Sequence, residues 1–225
     1  EGMSYNSWLI TDSQVAILDT ADARLAEEWK HNLSLALGTR QPDFLVVHHM
    51  EPDHASLVVW AMEQYPAMQI VCSAQAAKML PQFFEGIKTD GRVRIVKEGD
   101  TLCLGQHTLR FIGAPMVHWP EVLMSYEEKS GTLFSADAFG KFGALQNETD
   151  DWACEARRYY FNICGKYGTQ VKNVLKKATS PCPQAICPLH GPVLRGAALQ
   201  QAVSLYGTWS SYEPESEGVL VAYAS

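Results

Sequence analysis

Residues 5–10 and 14–18 are two short β-type segments separated by Thr11, Asp12 and Ser13, residues suited to a turn, so the chain is expected to open with a β-hairpin. Leu25, Trp29, Leu33 and Leu37 then recur at every fourth position. Gly38 supplies a C-cap and Pro42 bars continuation, so residues 22–37 read as an amphipathic helix whose apolar stripe faces a core. Phe44, Leu45, Val46 and Val47 form an unbroken apolar run, the pattern of a strand covered on both faces, and polar residues begin abruptly at His48. A helix over 56–65, a strand over 69–72, a helix over 74–84 and a strand over 93–96 continue an α/β order.

Beyond residue 100 the period changes. Segments 101–104, 108–112, 122–127 and 132–136 are strand-like, with Gly105-Gln106 and Lys129-Ser130-Gly131 among the breaks between them. A run of hairpins inside an α/β chain implies two sheets packed together. Residues 152–178 read as helical with a break near 165–168, 185–187 as a brief strand and 197–206 as a last helix, which leaves helices for both outer faces. Residues 210–218, rich in Ser, Glu and Pro, read as a linker, and 219–223 as a new strand.

Composition narrows the partners. With 225 residues, 47% of them hydrophobic and 19% charged, the chain can bury one large core, and one compact domain over 1–209 is expected. A net charge of −7 and the absence of any run of five Lys or Arg argue against nucleic acid and anionic lipid as partners. No apolar stretch approaches the roughly 20 residues of a membrane helix, and residues 1–7 lack the basic and apolar regions of a signal peptide, so a soluble, cytoplasmic protein is expected. Cys72, Cys103, Cys154, Cys164, Cys182 and Cys187 form no CxxC pair and read as reduced thiols.

The chemistry concentrates after the strand that ends at Val47. His49, Glu51, Asp53 and His54 form an HxExDH cluster, four potential metal ligands within six residues. Imidazole with carboxylate suits iron, zinc or manganese better than copper(I), which prefers sulfur. The plainer alternative is a polar turn in which Asp53 or Ser56 caps the following helix. Three further residues change that balance. Sixty-three residues separate the cluster from His118, 18 separate His118 from Asp137 and 52 separate Asp137 from His190, and each of the three follows a predicted strand. A lone His is more often a surface or core residue and a strand-end Asp a turn former, but the series shares one placement.

This order and spacing resemble the metallo-β-lactamase superfamily, whose usual loop is HxHxDH, and specifically its flavodiiron proteins, in which the second His is a Glu, here Glu51. The similarity extends through Ser4-Tyr5-Asn6, Leu18-Asp19-Thr20, His118-Trp119-Pro120, residues 134–140 and His190-Gly191-Pro192. The resemblance implies an αββα sandwich with His49, Glu51 and His118 on one iron, Asp53, His54 and His190 on the other, and Asp137 bridging. It also implies an active-site tyrosine matching Tyr159 or Tyr160, while Trp119 is a candidate wall of the pocket.

Four neutral imidazoles and three carboxylates give a ligand charge of −3, so two ferrous ions leave +1. An anionic Glu51 in place of His favours the higher oxidation state, which matters for iron and not for zinc. The resemblance further implies reduction of dioxygen to water or of nitric oxide to nitrous oxide. Electrons would come from FMN in a following flavodoxin-like domain, whose first strand would be residues 219–225. A head-to-tail homodimer and a rubredoxin-like donor are also implied. Two other readings share the ligands: a dizinc hydrolase of the same superfamily, and a diiron oxygen-binding sensor without a flavin domain.

Overall fold

The computed structural model describes residues 2–145 and 152–218, so the strand expected at 219–223 lies outside the described residues. Its first sheet contains β1 (Trp8–Thr11), β2 (Val15–Leu18), β3 (Phe44–Val47), β4 (Gln69–Cys72) and β5 (Val93–Ile95), in that spatial order. The opening hairpin is antiparallel and the next three pairings are parallel. The second sheet runs β11 (Leu194–Arg195), β10 (Ala185–Cys187), β9 (Thr132–Phe134), β8 (Leu123–Glu127), β7 (Thr108–Gly113) and β6 (Thr101–Cys103). It is antiparallel except where β9 and β10 pair in parallel.

Alternation along each strand sorts side chains between layers, because successive residues of a strand face opposite sides. In the first sheet Val15, Ile17, Leu45, Val47, Ile70 and Cys72 face a core shared with helices α1 (Ala26–Leu37), α3 (Val58–Gln64) and α4 (Ala74–Phe83). Their neighbours Ala16, Leu18, Phe44, Val46 and Val71 face the other sheet, where they meet Leu102, Leu109, Phe111, Leu123 and Phe134. The outer side of the second sheet, with Ile112, Met124, Tyr126, Leu133 and Ile186, packs under α5 (Trp152–Ile163), α6 (Gly168–Thr179) and α7 (Gly196–Ser210). Three apolar layers between four structural ones make the expected αββα sandwich.

The structure corrects several local expectations. The short helix α2 (Pro52–Ala55) starts inside the ligand cluster, with Pro52 in its first turn, where the missing proline N–H costs nothing. Asp53 therefore sits within a helix and Ser56 ends it, so neither caps the next one. The stretch read as a linker is fastened down: α7 runs through Ser210, and Glu215 accepts from Trp209 Nε1 at 2.6 Å and pairs with Arg157. Strand β11 was not expected, being only two residues long. Among the described residues no helix is long and apolar enough to cross a membrane.

Phe111 is fully buried between the two sheets. Phe111→Ala should cost about 3–5 kcal/mol in urea unfolding, with an unchanged m-value. A loss below about 1 kcal/mol would mean that the inter-sheet layer repacks freely.

Candidate metal centre

Strands β2 and β3 run in parallel, as do β9 and β10, so their C-terminal ends deliver loops to a common rim. Asp19 follows β2, the HxExDH cluster follows β3, Asp137 follows β9 and His190 follows β10; His118 lies in the connection between β7 and β8. Non-glycine residues with positive φ gather here: Asp19 at 57°, Met116 at 65°, Ala136 at 50° and Phe139 at 68°. Such conformations persist only where surrounding contacts hold them.

Those contacts are specific. Asp19 Oδ1 accepts from the backbone N–H groups of His48 at 2.8 Å and His49 at 3.4 Å, while Asp19 Oδ2 lies 2.6 Å from His48 Nδ1. Thr20 holds the other end of the cluster, donating through both N and Oγ1 to the carbonyl of His54. Asn6 Nδ2 donates to the carbonyls of Pro188 and Gly191 at 2.8 Å, and Ser4 Oγ accepts from Gly191 N. The Ser4-Tyr5-Asn6 and Leu18-Asp19-Thr20 motifs thus act as fasteners for the two loops.

The seven residues singled out by spacing converge as two groups, His49, Glu51, His118 and Asp137, and Asp53, His54 and His190. Within each group the candidate ligand atoms lie within 4.8 Å of one another. Asp137 spans both. Its Oδ2 lies 2.9 Å from His118 Nε2 and 3.5 Å from His49 Nε2, whereas its Oδ1 lies 3.0 Å from His54 Nε2 and 3.6 Å from His190 Nε2. His54 points inward, with its Nε2 3.0 Å from His190 Nε2.

The donor set fits divalent cations. A backbone carbonyl can only accept, so the 2.7 Å contact to Ser4 O puts a proton on His190 Nδ1 and leaves Nε2 with a lone pair facing inward. Asp53 Oδ1 is buried with no hydrogen-bond donor, an arrangement that is costly unless a cation satisfies it. Burial alone would raise Asp137, but the imidazoles of His54, His118 and His49 outweigh it and hold the carboxyl well below the usual range. Burial also opposes the charge on Glu51, yet His118 and His49 bring it down to about 2. Conversely, burial would lower His118, but Asp137 and Glu51 raise it to about 9. The carboxylates are therefore held ionised, the form in which they can ligate a cation.

The two tyrosines part company. Tyr159 is buried with its ring 5.6 Å from that of His190 and 5.1 Å from that of Phe142. Burial pushes its phenol far above the ordinary value, with the charge of Asp137 adding to the effect. Tyr160 lies in the core instead, its ring 5.1 Å from Tyr206 and 5.3 Å from Trp209. Trp119 stands edge-on to His49 at 5.2 Å and walls the other group.

A family model described as ODP family beta lactamase matches residues 3–191. The chain belongs to this family. Its relatives include the rubredoxin-oxygen oxidoreductase of Megalodesulfovibrio gigas, 29% identical over 97% of this chain and 56% of that protein. The nitric oxide reductase of Moorella thermoacetica is 30% identical over the same shares. Among solved structures, the flavodiiron protein of Giardia intestinalis superposes with a TM-score of 0.86 at 29% identity, over 94% of this chain and 53% of that one. The chain spans between 38% and 56% of the length of the curated relatives it matches.

Within this domain, spacing alone missed the residues behind the candidate ligands. Glu121 Oε1 lies 2.8 Å from His49 Nδ1, and His48 joins Asp19 to Ser125 Oγ, 2.8 Å from its Nε2. The only signal was HWPE, in which Glu121 follows His118 by three residues.

Gly140 leaves room for Tyr159. A Cβ there would lie 2.9 Å from both Asp137 O and Tyr159 Cε1, whereas one at Gly207 in α7 would meet open space. Gly140→Ala should therefore destabilise the chain by about 1–3 kcal/mol and lower its metal content. Gly207→Ala should stabilise it by about 0.5–1 kcal/mol. Thermal unfolding and elemental analysis check both, and a neutral Gly140→Ala would mean that the ring moves aside.

Proposed function

We propose that this chain carries the diiron centre of a reductase that takes dioxygen to water or nitric oxide to nitrous oxide. The observation that carries the reading is Asp137, which offers one carboxylate oxygen to each of two three-residue donor groups. His49, Glu51 and His118 would hold one iron, and Asp53, His54 and His190 the other. Two ferrous ions, when bound, supply two electrons and open coordination positions for diatomic ligands.

The chain's own residues set the terms of that chemistry. Three carboxylates against four neutral imidazoles leave two ferrous ions with a charge of +1, mild enough for a buried site. Glu51 adds an anion that zinc hydrolysis does not need and that favours oxidised iron. Trp119 and Tyr159 place aromatic rings beside His49 and His190, one against each group, and limit water there.

Coupling two nitric oxide molecules to nitrous oxide and water consumes two electrons and two protons. Reducing dioxygen to two waters consumes four of each, so a further electron source is required. We assign that role to FMN in a flavodoxin-like domain, reached across a head-to-tail homodimer and recharged by a rubredoxin-like donor. The relative named rubredoxin-oxygen oxidoreductase supports the donor, and the relatives named diflavin flavoproteins support the flavin. A cytoplasmic setting suits six cysteines that stay free.

Elemental analysis of protein purified without oxygen tests the reading, with about two irons per chain and little zinc expected. Asp137→Ala should lose both ions, because it removes the shared ligand and a neutralising charge. Two zincs in the parent protein would favour a hydrolase, and two irons retained by Asp137→Ala would sink the ligand assignment. Iron-loaded protein supplied with a flavin donor should then consume dioxygen or nitric oxide.

A further inference from the structure

Beyond the seven candidate ligands the site has one more buried carboxylate, and it is placed asymmetrically. Glu121 has a side chain with no exposure, and its Oε1 accepts from Met50 N at 2.9 Å and lies 2.8 Å from His49 Nδ1. Its Oε2 is buried without a partner, and its backbone carbonyl accepts from Ser73 Oγ at 2.8 Å, which ties it to the start of α4. The Met50 N–H can only donate, so the oxygen it shares with His49 is placed as an acceptor. His49 thus carries its proton on Nδ1 and turns Nε2 toward Glu51 and His118, at 3.1 and 3.3 Å.

The other group has no equivalent. His190 Nδ1 meets a neutral carbonyl, that of Ser4, and His54 Nδ1 is buried with no hydrogen-bond partner. Among the described residues, Glu121 is the one carboxylate outside the seven that hydrogen-bonds to any of their imidazoles.

We propose that Glu121 makes the two cation positions unequal, strengthening the His49–Glu51–His118 position and leaving it the more oxidised iron when the pair holds one electron. The inference rests on the metal-centre reading above. An imidazole that donates its far N–H to a carboxylate is a more basic ligand, and such outer partners typically set metal affinity by 10–100-fold. A buried negative charge close behind one cation also favours ferric over ferrous iron there, in a medium that screens it poorly. The first electron added to an oxidised pair then settles on the Asp53–His54–His190 side and the second on the Glu121 side. Glu121 is a positioning residue in this scheme, acting through His49.

Glu121→Gln is nearly isosteric and keeps an acceptor for Met50 N and His49 Nδ1 while removing the charge; Glu121→Ala removes both. Cobalt(II) affinities, measured by competition with a chromophoric chelator, should show two steps in the parent protein. Both variants should weaken the same single step, Glu121→Ala by about 10–100-fold, and leave the other within about threefold. In iron-loaded protein, Glu121→Gln should raise the lower of the two one-electron potentials and leave the higher in place, a change that a merely structural role would not produce.

If Glu121→Gln matches the parent while Glu121→Ala weakens binding, the carboxylate acts through its hydrogen bonds alone and the proposal fails. Equal shifts in both steps or both potentials would overturn it as well. A parent chain that takes up fewer than two cobalt ions would sink the metal-centre reading and this inference together. Two bound ions whose steps are both indifferent to Glu121 would sink only the inference.

Discussion

Four imidazoles and three carboxylates meet at one rim of this sandwich, and the Asp137 carboxylate, almost wholly buried, is the group they share. Burying an ionised carboxylate costs several kcal/mol unless charge and hydrogen bonding compensate, so the loop that carries it must be held without slack. Phe139 N donates to the Tyr206 hydroxyl, Leu189 N to Ala136 O, and the Ser135 hydroxyl to Ala138 O. The left-handed backbone at Ala136 and Phe139 is the local cost of aiming one side chain between two ligand groups. Helix α7 supplies Tyr206 and the His190 loop supplies Leu189, so elements far apart in sequence fix one carboxylate.

What the sequence revealed follows from how local each signal was. Strands β3, β4 and β10 were legible to the residue because their apolar runs stop abruptly at polar or turn residues. The seven candidate ligands were legible because each follows a strand whose end could be read. Glu121 and His48 were not, since their partners lie 72 and 77 residues away and no spacing rule connects a buried carboxylate to the far nitrogen of a histidine. Tyr159 and Tyr160 could not be separated by pattern. Adjacent helical residues point about 100° apart, and only the packing of α5 decides which one faces His190. The end of α7 was read short for a related reason: Trp209 and Glu215 lie in a polar, Ser-rich stretch, and their burial and pairing are tertiary facts.

The division of the candidate ligands between sheets has a thermodynamic consequence. His49, Glu51, Asp53 and His54 come from the first sheet, while His118, Asp137 and His190 come from the second, and each group draws on both. Cation binding by these groups would therefore be linked to the docking of the sheets and would stabilise it. Yet the interface has its own clamp. His48 reaches from the end of β3 to Asp19 on one side and to Ser125 in β8 on the other, and its carbonyl accepts from Leu123 N. With the inter-sheet apolar layer beneath it, this clamp aligns the two half-sites through contacts that involve no cation. Charge repulsion among the carboxylates is thus opposed by the scaffold itself, through hydrogen bonds and apolar packing that hold the two loops in register.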